Sequence, residues 1–532
     1  MSDVIVIGSG PNALVSAAYL ARGGLSVTVL EAEDVPGGGT VSSELLLPGH
    51  ISDLASSLHP LIQFNPLLAA DELGLIADHG LRYVAPDPVM AVMNPDGSAF
   101  VSHRDVLDTA AEISRYSQRD ADAFVTLLEE WEAVMPLFIK RLAGPPGTVA
   151  DTSPHVARKL AGLMAPSAEA MVTERFEDVR TRALLIAAGA HDSPTLPGTG
   201  FMPMHWMGML SRVSWPHAVG GTGALPSALI AAIEARGGAI HCGQRVERIL
   251  VEGGRAVGVT TAAGERFNAG RAVVSSAYVT QLPRLLGDVS LPPEFDRLRH
   301  WKPGSAVFAL HLVLDRIPAY RTSAGMRQIA VGAFGTAAGI AAQRNDLAQG
   351  RLSGPDRWMM AMCPSIVDPS RAPAGHAMVK MLTVAPYRLG GDPANWEREK
   401  ERYGDELVRQ YAAAVDGYEP GDELARLAFS PVDIERMNRN FVEGGFVGGD
   451  ITPDQVGPNR PVPGWAAYRM PVPGLYLSGA SAFPGGGVTG WPGRNAARAV
   501  LDDLGIDTGE FMHEAGEPDT LPKAPSTVGG QG

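Results

Sequence analysis

The sequence predicts an α/β protein with two domains, one built on a mostly parallel sheet and the other mixing helices with sheet. Three observations support this fold class. Near the N-terminus a strand, a helix and a second strand follow one another in DVIVIGSGPNALVSAAYLARGGLSVTVLEAE. A strand, a glycine-rich loop and a helix recur late in the chain, in VPGLYLSGASAFPGGGVTGWPGRNAARAVLDDLG. Between them, helical periodicity alternates with runs of strand-forming residues, and 532 residues suffice for two buried cores.

The N-terminal segment has the pattern of a Rossmann-like, dinucleotide-binding β-α-β unit. In Gly8-Ser9-Gly10 the first glycine permits a tight turn and the second lets the backbone approach a pyrophosphate, while the small Ala13 allows the helix to pack closely on the strand. The free N–H groups at the helix start favour phosphates. Glu31 follows the second strand, where a carboxylate binds ribose hydroxyls and repels a 2′-phosphate. The unit therefore predicts FAD or NAD rather than NADP.

Two glycine-rich segments favour FAD over NAD. Gly37-Gly38-Gly39 follows Glu31 closely, where a loop can pass along a bound cofactor. The late strand, residues 475–478, leads through a second glycine-rich loop into a helix that starts near Pro492. The positive end of that helix suits the N1/C2 carbonyl edge of a flavin, which becomes anionic on reduction. We find neither a second GxGxxG unit nor a C-x-x-C, so the sequence does not predict a disulfide reductase.

Composition restricts the partners and the compartment. The net charge of −14 disfavours binding to nucleic acid. The two cysteines, Cys242 and Cys363, are far apart and predict a reducing, cytoplasmic setting with no disulfide framework. No metal-ligand spacing, no basic and apolar leader and no apolar run of about 18 residues is present, so we expect no metal site and no transmembrane segment. Peripheral membrane contact and the oligomeric state stay open.

Seven segments resemble the phytoene-dehydrogenase-related FAD oxidoreductases. They are GSGPNALVSAAYLA, PGGG, SSLHP, VGGTGALPSAL, RVERILVEGGRAVGV, RAPAG and PVPGLYLSGASAFPGGGVTG. That family includes carotenoid desaturases, desaturase-like bacterial ketolases and pyridine-nucleotide-disulfide-oxidoreductase-domain proteins. The resemblance extends from Met1 to about Gly505, is weakest between about Leu75 and Pro216, and implies a glutathione-reductase-type, amine-oxidase-like fold. Carotenoid desaturases usually carry Arg after the glycine pair, where this chain has Gly39.

The resemblance also implies a set of cofactor contacts. They fall at the pyrophosphate (Gly8, Ser9, Gly10, Asn12, Gly479, Ala480), the ribose (Glu31), the path to the isoalloxazine (Gly38, Gly39, Thr40), the adenine (Val246, through its backbone) and the pyrimidine edge of the flavin (Val488, Thr489).

The cofactor segments divide the chain into domains. Residues 1–75, 217–290 and 460–505 are predicted to form a discontinuous FAD-binding domain. Residues 76–216, with a helical insert, and 291–459 are predicted to form the substrate domain. The tail, residues 506–532, is rich in Pro, Gly and polar residues and is predicted to be disordered.

Two histidines are candidates for the substrate side. His59, in SSLHP, follows the first glycine-rich loop and is our candidate catalytic base; the alternative is a histidine that packs or caps locally. His205 is the weaker candidate. Its segment, GFMPMHWMGMLSRVSW, holds four methionines and two tryptophans, which suits either an adaptable apolar substrate wall or ordinary core packing.

These features predict an FAD-dependent oxidoreductase that desaturates or otherwise oxidises an apolar organic substrate. Hydride transfer to flavin N5 needs close approach in a site that excludes water, and no protein nucleophile is required. Oxygen, a quinone or another small molecule would accept the electrons. Three alternatives stay open: a non-redox flavin hydratase or isomerase, a carotenoid desaturase or ketolase proper, and a protein that holds FAD without turnover.

Overall fold

The structure is a computed structural model that describes residues 2–93, 97, 99–148, 153–189, 198–416 and 418–523. Its helices, numbered in chain order, are α1 Pro11–Arg22, α2 Pro66–Ala69, α3 Val106–Ser114, α4 Gln118–Leu142, α5 Pro154–Met164, α6 Ala168–Arg175, α7 Val179–Gly189, α8 Phe201–Val213, α9 Ala224–Glu234, α10 Leu282–Leu286, α11 Ala337–Ala348, α12 Trp396–Ala412, α13 Pro431–Met437 and α14 Trp491–Asp503.

The strands follow the same convention. They are β1 Ser2–Ile7, β2 Val27–Leu30, β3 Ser42–Ser43, β4 Ser52–Asp53, β5 Tyr83–Val84, β6 Met90–Met93, β7 Ala99–Ser102, β8 His217–Ala218, β9 Ala239–His241, β10 Val246–Glu252, β11 Arg255–Thr261, β12 Arg266–Ser275, β13 Val307–Leu314, β14 Ala319–Thr322, β15 Gly325–Arg327, β16 Val331–Phe334, β17 Met359–Met362, β18 Ala377–Val384, β19 Val415–Asp416, β20 Ala425–Phe429 and β21 Leu475–Leu477.

The first sheet is the predicted Rossmann-like core. Over the described residues its seven strands run in the order β10-β11-β12-β1-β2-β9, with β21 paired to β12. β1 lies parallel to both β2 and β12, and β21 extends the parallel set. Val4 and Val6 of β1 are fully buried, as expected for an apolar strand inside a parallel sheet. The sheet thus joins an N-terminal unit, a middle segment and a late strand.

Helices α1 and α14 pack directly on each other at their first turns. Pro11 takes the first position of α1, where its missing N–H costs nothing, and Gly490 precedes α14 with φ +71°. A Cβ on Gly493 would lie 2.2 Å from the carbonyl oxygen of Asn12, so only glycine permits this approach. The positive ends of both helices therefore meet beyond the carboxyl end of β1.

The second sheet belongs to the other predicted domain. In the described part of the chain it has ten strands in the order β15-β14-β7-β6-β16-β17-β18-β13-β20, with β19 paired to β14. β13 pairs antiparallel with β18, which sets His311 opposite Lys380. β6 and β7 come from the segment expected to be largely helical, and they join this sheet. The domain boundaries themselves stay a prediction.

Helices α3 to α8 form a layer with its own apolar core. Trp131 of α4 is fully buried, and a Cβ on Gly208 of α8 would lie 2.2 Å from its ring. The glycine therefore lets α8 lie flat against the tryptophan. No helix in the described ranges is both long enough and apolar enough to cross a bilayer.

The C-terminal segment is packed as far as residue 523, unlike the predicted disordered tail. Phe511, Met512 and Leu521 are each at most 9% exposed. The backbone N–H of His513 donates to Glu72, and its carbonyl accepts from Arg494 at 2.7 Å. Apolar anchors and a buried ion pair thus outweigh the polar composition of residues 506–523. The remainder of the predicted tail, residues 524–532, lies outside the described residues.

Candidate active site

The first glycine-rich turn has the close contacts expected of a dinucleotide site. Gly8 has φ +88°, and a Cβ there would lie 2.5 Å from Ser276 Oγ. At Gly10 a Cβ would meet no atom within 4 Å, so the turn opens onto free space where the pyrophosphate is expected. Within the described chain, the Oδ1 atom of Asn12 is buried without a hydrogen-bond partner. Ala13 is fully buried, as its packing role requires.

Glu31 lies beside this turn and is held to it by Ser9. The backbone N–H of Ser9 donates to Glu31 Oε2 at 2.7 Å, and the Ser9 hydroxyl donates to the same oxygen. The Glu31 Oε1 atom accepts from the Glu33 N–H at 3.0 Å. The Ser9 hydroxyl also accepts from the Gly37 N–H at 3.1 Å. Ser9 therefore connects the turn, the predicted ribose carboxylate and the next loop.

The Gly37–Gly39 loop packs against the Gly8–Gly10 turn. Gly38 has φ +58°, and a Cβ on it would lie 2.8 Å from Gly10 Cα. A Cβ on Gly39 would lie 2.9 Å from Phe441 Cζ, so a ring fills the space next to the position where carotenoid desaturases carry Arg. The Thr40 hydroxyl donates to the Gly37 carbonyl at 2.8 Å and closes the loop.

The glycine-rich loop between β21 and α14, residues 478–490, is called here the late loop, and it faces the same region. A Cβ on Gly479 would lie 2.5 Å from the Ser276 carbonyl oxygen, so this loop and the first turn both pack against Ser276. Val488 adopts φ +55°, which is uncommon for a β-branched residue. The Thr489 carbonyl accepts from Asn65 Nδ2 at 3.1 Å. Val246 is the first residue of β10 and is 7% exposed. Gln244, two residues earlier, donates its backbone N–H to the Glu31 carbonyl.

Arg460 is a residue of this region that no sequence pattern indicated. It is 1% exposed and has no carboxylate within ion-pair distance among the described residues. Its Nη2 donates to the carbonyls of Ala480, at 2.9 Å, and Val447, at 3.1 Å. Burial lowers its pKa to about 10. A buried cation therefore fixes the loop that is predicted to close over the pyrophosphate.

His59 is fully buried on the second-domain side of these loops. Its Nδ1 lies 2.9 Å from the Tyr83 hydroxyl, while Nε2 has no partner among the described residues. Burial lowers the pKa of His59 to about 4. A base this weak takes up little proton at neutral pH, which favours the local-packing alternative. The catalytic role of His59 stays a prediction.

A buried charge cluster, formed by Asp53, Arg371 and Lys380, supports the chain just before His59. Arg371 pairs with Asp53 at 2.9 Å. Lys380 Nζ donates to the backbone carbonyls of Asp53 and Ala55, and burial lowers its pKa to about 8. A small cavity adjoins this cluster. No sequence pattern indicated the cluster, because Asp53 and Lys380 are 327 residues apart in the chain.

A second cavity adjoins the late loop and is called here the apolar cavity. Helices α4 and α8 form one wall, and the late loop with the chain after His59 forms the rest. Its lining residues are Leu61, Phe64, Ile139, Leu142, His205, Met209, Pro484, Gly485, Gly486, Thr489 and Trp491. His205 thus lies at the cavity, whereas His59 is not among its lining residues.

Comparison with known proteins identifies the family. Residues 14–501 match the family described as flavin containing amine oxidoreductase. The chain belongs to this family. It is therefore an FAD-dependent oxidoreductase that acts on organic substrates, as the sequence predicted.

Relatives of this flavin oxidoreductase match it along nearly its whole length. The chain is 33% identical to pyridine nucleotide-disulfide oxidoreductase domain-containing protein 2 of Mus musculus, over 94% of each chain. It is 27% identical to a limonene dehydrogenase subunit from Castellaniella defragrans, over 95% of each. Cyclohexylamine oxidase from Brevibacterium oxydans has a similar fold, with a TM-score of 0.54 and 16% identity over 95% of this chain and 99% of that one. The predicted fold class, cofactor and resemblance are confirmed.

The groups present in this oxidoreductase fit FAD. Open space at Gly10, the unpaired Asn12 Oδ1 and the meeting of two helix N-termini suit a diphosphate, and Glu31 suits a ribose. No group of His, Cys, Asp or Glu in the described ranges is arranged to hold a metal ion.

Proposed function

We propose that this enzyme oxidises an apolar organic molecule bound in the apolar cavity, by hydride transfer from a substrate C–H bond to N5 of FAD. The observation that carries the proposal is the position of the cavity, which shares Thr489 with the loop predicted to face the flavin. Bound FAD supplies the hydride acceptor. The protein contributes a dry, shaped site that brings the reacting atoms together.

The proposed cofactor contacts are those predicted from the sequence. They are Gly8, Ser9, Gly10, Asn12, Ala13, Glu31, Gly38, Gly39, Thr40, Val246, Gly479, Ala480, Val488 and Thr489. The packing of the three glycine-rich segments around Ser276 and Gly10 supports this assignment, because each segment approaches where a side chain would collide.

Hydride removal suits the apolar cavity better than hydration or isomerisation by acid-base chemistry. The described lining residues include no carboxylate and no lysine. Burial lowers the pKa of His205 to about 4, so this ring is a weak base at neutral pH. Acid-base chemistry works best with groups that titrate near the working pH. One relative is named a limonene dehydrogenase subunit, and dehydrogenation of an apolar molecule matches such a cavity.

Two finer assignments belong to the same proposal. The electron acceptor is oxygen, a quinone or another small molecule, since the sequence shows no separate NAD(P)H unit. The cytoplasm is the proposed location, on the basis of two distant cysteines, both of which are free.

The test is anaerobic mixing of the FAD-loaded protein with monoterpenes, polyenes, cyclic amines and alcohols, while the oxidised-flavin absorption band is recorded. Bleaching by one class supports hydride donation by that class. If polyenes are the only class that bleaches the flavin, the enzyme is a carotenoid desaturase or ketolase proper.

Two results would contradict the proposal. A protein that none of the classes bleaches, but that converts a substrate after chemical reduction of the flavin, is a non-redox enzyme. A protein that cannot be loaded with FAD has another function altogether.

A further inference from the structure

His205 lines the apolar cavity, and a hydrogen bond to its ring fixes which nitrogen carries the proton. Its Nδ1 lies 3.2 Å from Trp131 Nε1. An indole N–H can only donate, so Nδ1 must accept, and the neutral imidazole then carries its proton on Nε2. Among the described residues, no hydrogen bond is formed by Nε2. The tautomer therefore follows from the identity of Trp131.

The ring of His205 is also held in place by packing. Phe201 stacks on it, with 5.2 Å between ring centroids and an interplanar angle of 20°, and Phe138 meets it edge-on at 4.8 Å. His205 is only 5% exposed. Trp131 is itself fixed by its close contact with Gly208. A donor with this support keeps its direction when a ligand enters.

The surroundings make an unpaired donor costly. Of the described residues lining the cavity, His205, Thr489 and Trp491 carry polar side-chain groups; Thr489 lies in the late loop and Trp491 begins α14. The rest of the helical wall is formed by Ile139, Leu142 and Met209. A buried N–H that finds no acceptor costs free energy, which a ligand oxygen at the correct distance recovers.

We propose that His205 donates a hydrogen bond from Nε2 to an oxygen atom of the substrate, so that the enzyme prefers an apolar molecule carrying one carbonyl, ether or hydroxyl oxygen over the matching hydrocarbon. This inference rests on the proposed function, because it takes the apolar cavity as the substrate site. It adds the polar feature by which that site recognises its substrate.

The test compares two matched pairs of ligands, limonene with its ketone carvone and cyclododecane with cyclododecanone. Dissociation constants are obtained under anaerobic conditions from the perturbation of flavin absorption in the FAD-loaded protein. A cavity without a donor favours the hydrocarbon, because burying an unpaired carbonyl costs free energy. With the His205 donor we expect the ketone to bind about tenfold more tightly.

Three variants assign the preference to this side chain. His205→Phe keeps an aromatic ring but removes the donor. We expect this variant to bind the hydrocarbon more tightly than the ketone. His205→Gln keeps an N–H donor and should keep a ketone preference. Met202→Leu alters the same helix outside the cavity lining and should leave the ratio unchanged. Each variant is first checked for FAD content and circular dichroism.

A second measurement addresses the tautomer without any substitution at the cavity wall. In protein labelled with ¹⁵N-histidine, the His205 resonances, assigned by their loss in His205→Gln, should report protonation at Nε2. Protonation at Nδ1 would overturn the proposal.

The remaining outcomes are also decisive. A wild-type preference for the hydrocarbon, a ratio that His205→Phe leaves unchanged, or no perturbation by either pair would each overturn the proposal. Failure of the proposed function has a different signature, since ligand binding without bleaching by any substrate class would remove the redox assignment and leave the hydrogen bond intact.

Discussion

At the scale of single residues, Arg460 is the least expected feature of the cofactor region. Its guanidinium is buried and donates to carbonyl groups, and it forms no direct ion pair with a carboxylate among the described residues. The Asp450 carboxylate acts on it only from farther away. A cation without a directly paired counter-ion is costly in a protein interior. A bound diphosphate supplies negative charge close to the loop that Arg460 fixes. We therefore expect Arg460 to contribute to FAD affinity.

Substitution of Arg460 tests this expectation. Arg460→Met removes the hydrogen bonds from the guanidinium to the Ala480 and Val447 carbonyls, and we expect FAD to bind at least about tenfold more weakly. The measurement is titration of the apoprotein with FAD, followed by quenching of flavin fluorescence. Arg469→Met is the control, because Arg469 pairs with Asp503 at the surface, where its side chain is 41% exposed. Equal FAD affinities of the two variants would show that Arg460 does not contribute to FAD binding.

Sequence patterns propose residues whose contacts are local and give no sign of contacts between distant parts of the chain. Gly8, Gly10 and Glu31 follow one another within a single β-α-β unit, so spacing alone predicts them. Arg460 acts through Ala480 and Val447, and Lys380 through Asp53 and Ala55. His205 depends on Trp131 for its tautomer. No spacing rule connects such partners, because only the folded chain brings them together.

At the scale of secondary structure, the contact between α1 and α14 determines the shape of the proposed diphosphate site. Glycine at position 493 lets the two helices approach until their first turns touch. The same pattern that identified a helix near Pro492 could not indicate its partner. Periodicity shows that a helix has a buried face but not what that face packs against.

A single methyl group tests this contact. In Gly493→Ala the new Cβ would lie 2.2 Å from a backbone oxygen, which cannot rotate away. We expect the free energy of unfolding to fall by about 1–3 kcal/mol, measured by urea denaturation, because overpacking forces the helices apart. FAD should also bind more weakly.

Gly162→Ala is the matched control. Gly162 lies in α5, and its added Cβ would meet nothing within 4 Å. Alanine has the higher helix propensity, so this variant should be neutral or more stable by up to about 1 kcal/mol. A Gly493→Ala protein as stable as the control would contradict the close packing of α1 and α14.

At the scale of the whole molecule, the C-terminal segment packs against both large cores, with Phe511 and Met512 beside the Rossmann-like sheet and Leu521 beside the layer of helices α3 to α8. Glu72 receives hydrogen bonds from Tyr19, from Arg494 and from the backbone of His513, and its side chain is fully buried. Composition predicted a disordered tail here. That prediction was wrong up to residue 523 because a few apolar anchors, such as Phe511 and Met512, are sufficient when a buried ion pair fixes the backbone between them.

Truncation measures the contribution of this segment. Removal of residues 507–532 exposes the Glu72–Arg494 pair and loses the burial of Phe511, Met512 and Leu521, each of which contributes about 1.5–3 kcal/mol. We expect a clearly lower melting temperature and faster loss of FAD. Removal of residues 524–532 alone retains these contacts and should change neither value. Identical melting of the two truncated proteins would show that the packed segment adds no stability.

The meeting of α1 and α14 also has a consequence for biosynthesis. The two helix ends that are proposed to face the diphosphate are separated by almost the whole chain, so we expect no complete cofactor site before α14 has left the ribosome. A chain broken off earlier would keep its β-α-β unit without the second helix end. Retention of the yellow colour would therefore report that a chain extends at least through α14.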